Sequence, residues 1–205
     1  MGGRLITHLF FDVGGVLGSD AWDREQRALA VARFGLDAAE FEERHAEAVG
    51  ALEAGAMTLR EYLDTAVFHR PRAFDREAFT AFMREQSVPH TETVALAREL
   101  GASGRYRLLT LNNESAELNA YRVRRFGLAE CFVAFVSSCW VGAVKPARRI
   151  YEAALAVAQV EPERAVFIDD RARNLEPARV LGMQAVRYRG AAALRAELAA
   201  LGVTR

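Results

Sequence analysis

At 205 residues the chain can build one α/β core with a modest insertion, but not two independent enzyme domains of ordinary size. Lys plus Arg and Asp plus Glu both number 27, so no overall positive field gathers nucleic acid or an acidic membrane surface, and a small-molecule substrate fits better. Cys131 and Cys139 have neither a CxxC spacing nor the density of a secreted disulfide scaffold, which favours packed thiols in a reducing compartment.

Residues 1–4 run almost at once into an apolar segment too short for a membrane span, with no small-residue cleavage site after it, so a cytoplasmic protein is expected. Residues 5–13 (LITHLFFDV) are apolar and aromatic and stop at two glycines, which predicts a buried parallel strand before a turn. From Asp20 to about Glu85 the pattern is helical, with Leu29, Phe34, Phe41, Leu52, Leu59, Leu63 and Phe82 scattered among charges. Asp37 and Thr58 each precede an apolar series as capping residues. The neighbourhood of Pro71 reads as a loop.

Beyond Pro89 helices and strands alternate, the signature of parallel βαβ units. The spacing predicts a helix capped by Thr91 and ending near Gly101, then a strand at 105–111 (RYRLLTL) and a helix at 114–126. A strand at 131–137 (CFVAFVS) follows, then a helix at 146–158 with Pro146 in its first turn. A very apolar strand at 165–168 (AVFI), a helix around 175–181 closed by Gly182, a strand at 184–188 and a helix at 191–200 complete the chain. The fold class is therefore α/β: a doubly wound, Rossmann-like parallel sheet interrupted by a small all-helical insertion. In such sheets the ligand crevice lies outside the carboxyl ends of the strands, where the strand order reverses. Those ends carry Asp12, then Asn112 and Asn113, then Ser137 and Ser138, then Asp169 and Asp170.

An ionised Asp12 projecting beside a glycine turn can attack phosphorus and form an aspartyl-phosphate, which splits one hard hydrolysis into two easier steps. An Asp in that position also serves as an ordinary turn or cap residue. Asp169 and Asp170, brought near a third carboxylate, repel one another unless a cation neutralises them, and Mg²⁺ is the hard, oxygen-preferring choice. Asn174 is placed to orient that pair, although an isolated Asp pair also caps helices. Lys145, in VGAVKP, can neutralise both the nucleophile and a phosphate oxygen. Asn112 and Asn113 offer amide donors to the same oxygens. Each has a bland alternative, a solvated Lys and turn-forming Asn residues.

Taken in order, FFDVGGVL, LNN, VGAVKP and FIDDRARN resemble the four motifs of the haloacid dehalogenase superfamily, and the match spans the whole core. The helical block lies where that family carries a cap domain, which divides the chain into a core of residues 1–18 and 89–205 and a cap of residues 19–88. The resemblance implies that Asp12 is the nucleophile and that Asn112 and Asn113 hold the transferred group with Lys145. It further implies that Asp12, Asp170 and Asp169 bind Mg²⁺ together with the backbone carbonyl of Gly14. The activity it points to is a Mg²⁺-dependent phosphatase acting on a small phosphorylated substrate such as a sugar phosphate. No nucleic-acid or membrane partner is expected, and the sequence leaves the oligomeric state open.

Two positions depart from the family pattern. Its phosphatases usually carry a second Asp two residues after the nucleophile, as general acid and then base; here that position is Gly14, removing help typically worth about 10²- to 10⁴-fold. Asn112 stands where Ser or Thr is usual. A phosphatase lacking the acid would favour esters whose leaving group departs easily as an anion, such as anomeric sugar phosphates or aryl phosphates. A haloacid dehalogenase also lacks the second Asp but leaves the Asp169–Asp170 pair without a purpose, and a catalytically silent binding protein is the third alternative. Within the helical block Trp22, His45, Tyr62, His69 and Arg70 are the candidates for substrate contact, against a packing or surface role for each. His8 reads as a satisfied core residue.

Overall fold

A computed structural model of the protein describes residues 5–204. Strand β1 (His8–Phe11) is followed by the helices α1 (Arg24–Phe34), α2 (Ala38–Glu53), α3 (Leu59–Ala66) and α4 (Arg76–Glu85). The alternating part then runs α5 (Thr91–Ala102), β2 (Arg107–Asn112), α6 (Ala116–Arg125), β3 (Ala134–Ser137), α7 (Ser138–Val141) and α8 (Arg148–Ala158). It ends with β4 (Ala165–Asp169), α9 (Ala172–Val180), β5 (Gln184–Arg187) and α10 (Ala191–Ala200).

All strand pairs are parallel and the order is β3-β2-β1-β4-β5. The chain moves outward from β1 through β2 to β3, then crosses back to the other side of β1 at β4, which sets the switch point between β1 and β4. Phe11 pairs with Ile168, so Asp12 and Asp169 leave the sheet side by side. Alternation along each strand buries both faces. Leu9, Phe11, Val166 and Ile168 pack with α5 and α10, while Phe10, Leu109 and Phe167 pack with α8 and α9.

The inserted helices have a core of their own, including Phe41, Leu52, Leu63 and Phe79, to which Leu118 of α6 is added from below. Their starts follow local chemistry. The Asp37 carboxylate accepts from Glu40 N, and Thr58 forms a reciprocal capping box with Glu61. The two crossings into and out of the insertion are bonded to each other: Ser19 N donates to Val88 O, Val88 N to Ser19 Oγ, and His90 N to Leu17 O.

Several boundaries differ from the sequence expectation. Strand β1 is shorter than 5–13, because Asp12 and Val13 already turn toward the crevice. Thr91 is the first helical residue rather than the cap; His90 precedes it and uses its ring to donate from Nδ1 to Val16 O at 3.0 Å. Residues 131–133 fall outside β3, after a short turn at Leu128–Glu130. Pro146 lies ahead of α8 rather than in its first turn, since the Asn113 amide occupies both backbone polar groups of Lys145 and holds that segment out of the helix. Among the described residues no helix is long and apolar enough to cross a membrane.

Candidate active site

The site is built at the switch point. Asp12 follows β1, its backbone N–H donating to Ile168 O and its Oδ1 accepting from Val13 N at 2.8 Å. Lys145, delivered by the loop before α8, places Nζ 2.8 Å from Asp12 Oδ1 and 2.7 Å from Asp169 Oδ2. Burial disfavours the Lys145 ammonium, but Asp12 and Asp169 outweigh it and hold the pKa above its ordinary value. Burial also pushes the Asp12 carboxyl up, with Lys145 opposing and Asp169 adding to the rise. The cluster thus lacks positive charge for its three carboxylates.

The two adjacent aspartates have different surroundings. Asp169 is saturated: Asn174 Nδ2 donates to both of its oxygens at 3.1 and 3.0 Å, Arg171 N donates to Oδ1 at 2.8 Å, and Lys145 holds Oδ2. Asn174 therefore orients the pair through Asp169. Asp170 is the open one, with a buried Oδ1 that has no hydrogen-bond partner. Ligand oxygens of Asp12, Asp169 and Asp170 lie within 4.8 Å of one another. Gly15 makes the approach of Asp170 possible: it adopts φ +73°, and a Cβ there would stand 2.7 Å from the Asp170 carboxyl. Three carboxylates, one with a buried unpartnered oxygen, fit a hard divalent cation, and Asp12 and Asp170 are the free donors for it.

Asn113 reaches the site with one of its two amide hydrogens engaged. Its Nδ2 donates to Lys145 O at 3.1 Å and its Oδ1 accepts from Lys145 N at 2.7 Å, so its side chain fixes the lysine backbone. Asn112 is turned away: it is 1% exposed and donates to Asn119 Oδ1 at 3.1 Å. It is absent from the cavity wall.

Above Asp12 a cavity of about 390 Å³ is closed on its far side by the inserted helices. Gly14, Asn113, Lys145 and Asn174 form its floor, and Trp22, Arg27, His45 and Glu53 come from the insertion or its linker. Trp22 Nε1 can only donate, so the Tyr62 hydroxyl accepts from it at 2.9 Å and donates its own proton to His45 Nδ1 at 2.9 Å. His45 is thereby fixed as the neutral tautomer with its proton on Nε2. Burial first, then Arg27, lowers its pKa to about 4. His69 and Arg70 instead pair with Glu40, away from the cavity. Tyr62 supports His45 from a fully buried position. His8 is half-buried and bonded to Thr7 Oγ1 at 2.9 Å.

Gly14 has room. A Cβ there would stand 3.6 Å from Arg122 Nη1 and 3.7 Å from Asp20 Cα, ordinary van der Waals contacts. Arg122 is 2% exposed and pairs with the buried Glu114 at 3.4 Å. Arg171, directly after the Asp169–Asp170 pair, reaches across to Asp20 and Asp23 at 3.3 and 2.6 Å. Sequence reasoning missed Glu53, Glu114, Arg122 and Arg171. Adjacency to LNN and to FIDD marked Glu114 and Arg171, whereas Glu53 and Arg122 carry no local signal.

The family of haloacid dehalogenase-like hydrolases matches residues 6–182 of this chain. Among curated proteins, rat bifunctional epoxide hydrolase 2 is 38% identical over 71 residues, covering 35% of this chain and 13% of that longer protein. Among solved structures, a HAD family enzyme from Bacteroides thetaiotaomicron, in complex with magnesium and inorganic phosphate, superposes with a TM-score of 0.74 at 21% identity. The superposition covers 90% of this chain and 95% of that one. The L-2-haloacid dehalogenase of Xanthobacter autotrophicus with chloropropionic acid covalently bound superposes at 0.63 and 17% identity, covering 98% and 85%. These two likenesses share the fold.

Proposed function

This chain belongs to the haloacid dehalogenase-like hydrolases, and from that premise we propose that it is a Mg²⁺-dependent phosphatase of small phosphorylated metabolites, sugar phosphates among them. The observation that carries this reading is the buried, unpartnered Oδ1 of Asp170 beside Asp12. A hydrolase of carbon–halogen bonds has no use for that oxygen, whereas a phosphatase needs a cation there to let an anionic nucleophile meet an anionic ester. Magnesium and phosphate in the Bacteroides enzyme lend support at the level of the fold.

In this scheme Asp12, Asp170 and the backbone carbonyl of Gly14 would hold Mg²⁺, which when bound screens charge between the nucleophile and the phosphoryl oxygens. Asp169 is better assigned to orienting Lys145 than to the metal. Asp12 attacks phosphorus, the P–O bond to the leaving group breaks, and water then cleaves the aspartyl-phosphate. Lys145 balances charge on Asp12 and a phosphoryl oxygen, and Asn113 keeps its backbone in place. We assign residues 1–18 and 89–205 to the core and 19–88 to a cap that excludes water from the reacting centre. The free thiols of Cys131 and Cys139 suit a reducing cytoplasm.

The test is phosphate release from sugar phosphates and p-nitrophenyl phosphate, with Mg²⁺ and with EDTA, in wild type and Asp12→Asn. Mg²⁺-dependent release that vanishes in Asp12→Asn is expected, and no release from any ester overturns the reading. Gly14 favours one competitor, a dehalogenase in which halide leaves without a proton. Chelator-resistant halide release from 2-chloropropionate would establish it.

A further inference from the structure

Five carboxylates line the cavity: Asp12, Asp20, Asp23, Glu53 and Glu114. Four are engaged. Asp12 is held by Lys145, Asp20 and Asp23 by Arg171, and Glu114 by Arg122 and Ser115 N. Glu53 is the exception, since among the described residues nothing hydrogen-bonds to its carboxylate or pairs with it.

Glu53 is also placed by the backbone. It is the last residue of α2, one turn beyond Val49 and two beyond His45, and all three face the cavity. Two residues on, Gly55 adopts φ +73° and its Cα is pressed against the Cys139 backbone carbonyl of α7, so closely that no Cβ fits between them. That contact docks the end of α2 onto the core and fixes where the carboxyl of Glu53 enters.

We propose that Glu53 is the general acid and base of this hydrolase, supplying from the inserted helices the proton transfer that Gly14 cannot. The inference rests on the phosphatase reading. In phosphoryl transfer the attacking and leaving oxygens are roughly in line, so the leaving oxygen departs on the side opposite Asp12, toward the inserted helices. In the first step Asp12 bonds to phosphorus, the P–O bond to the leaving group breaks, and that oxygen takes the proton of the Glu53 carboxyl. In the second step the Glu53 carboxylate takes a proton from water, whose oxygen bonds to phosphorus as the Asp12–phosphorus bond breaks. Phosphate and the starting enzyme result, with protons in balance.

The electrostatic setting suits both roles. Burial and then Glu114 raise the Glu53 pKa to about 7, opposed by Arg171, Lys145 and Arg173, so both forms are populated near neutrality. Of these groups, Glu114 follows β2, Lys145 precedes α8, and Arg171 and Arg173 follow β4; Asp12, Asp20, Asp23, Arg27 and Arg122 line the same cavity. His45, on the same helix, stays neutral.

The experiment compares Glu53→Gln with wild type on an alkyl phosphate and on p-nitrophenyl phosphate, whose leaving group needs no proton. Expected is a fall in kcat/KM, which reports the steps through departure of the leaving group, of about 10²-fold or more on the alkyl ester and under tenfold on the aryl ester, whereas breakdown of the aspartyl-phosphate slows alike from both. The wild-type decline in alkyl turnover as pH rises through about 7 should disappear in the variant. Equal losses of kcat/KM on both esters, or none, would assign Glu53 to packing or binding and overturn the proposal while leaving the phosphatase standing. A wild type silent on both esters would remove the phosphatase reading and this inference with it.

Discussion

The Lys145 ammonium and the Asp169 carboxylate meet at 2.7 Å with the lysine side chain 2% exposed and the aspartate fully buried. A buried pair of this kind adds little net stability, but removing one partner strands the other. Lys145→Met strands two carboxylates, Asp169 and Asp12, so a loss of about 3–5 kcal/mol is expected in EDTA. The loss should shrink as pH falls and the carboxylates protonate, and saturating Mg²⁺ should return part of it. Urea denaturation at pH 7 and pH 5 measures this, and an unchanged midpoint would contradict it.

Gly15→Ala places a Cβ 2.7 Å from the Asp170 carboxyl at a residue held at φ +73°. The backbone conformation alone costs about 1–2 kcal/mol. Displacing Asp170 should weaken Mg²⁺ binding by at least tenfold, read by calorimetry without any substrate. Wild-type Mg²⁺ affinity in a folded variant would exclude Asp170 as a ligand.

The Cβ of Gly14→Asp is sterically admitted, since its nearest neighbour, Arg122 Nη1, would be 3.6 Å away, Asp20 Oδ1 3.8 Å, and the φ is not positive. The variant should keep its stability within about 1 kcal/mol, as substitutions that neither clash nor strain usually do. In a Glu53→Gln background it should restore activity on alkyl phosphates by about tenfold or more, by returning the missing proton donor. A variant that unfolds, or that gains equally on aryl phosphates, would show that the glycine serves another purpose.

His45 has a folded-state pKa near 4 against an ordinary 6.5, so between those values the unfolded chain binds a proton that the folded chain refuses. Stability is therefore complete above about pH 6.5 and falls as pH drops toward 4, by at most about 3 kcal/mol. Arg27 contributes to the depression, while Glu42 and Asp23 oppose it. His45→Gln should flatten this acid slope in chemical denaturation between pH 7 and pH 4.5. A slope identical to wild type would mean that other groups control acid lability.

Much of this was legible because parallel strands and catalytic ends are local features. Runs such as LITHLFFDV and AVFIDD announce both a strand buried on two faces and the polar groups it delivers, so Asp12, Lys145 and Asp170 could be placed in one crevice before any coordinates. Strand limits were less clear, as at residues 131–133, where Phe132 packs into the core and Val133 N bonds to Leu108 O of β2, yet the regular ladder starts only at Ala134. Asn112 and Asn113 could not be told apart by sequence, because one residue of register turns a side chain to the opposite face. Glu53 was invisible for a different reason: its role depends on where the end of α2 docks, and that is set by Gly55 against Cys139, 84 residues further along the chain.

The bonded crossings at Ser19, Val88 and His90 mean that the insertion starts and finishes at almost the same point in space. Nothing in the five-stranded sheet requires the chain to travel through it. Joining Gly18 to Pro89 through a short turn, with Leu118 made polar, is expected to leave a sheet that still folds. In the reverse direction, a lineage could trade one helical block for another at this seam and acquire a new substrate without rebuilding the residues that cleave it.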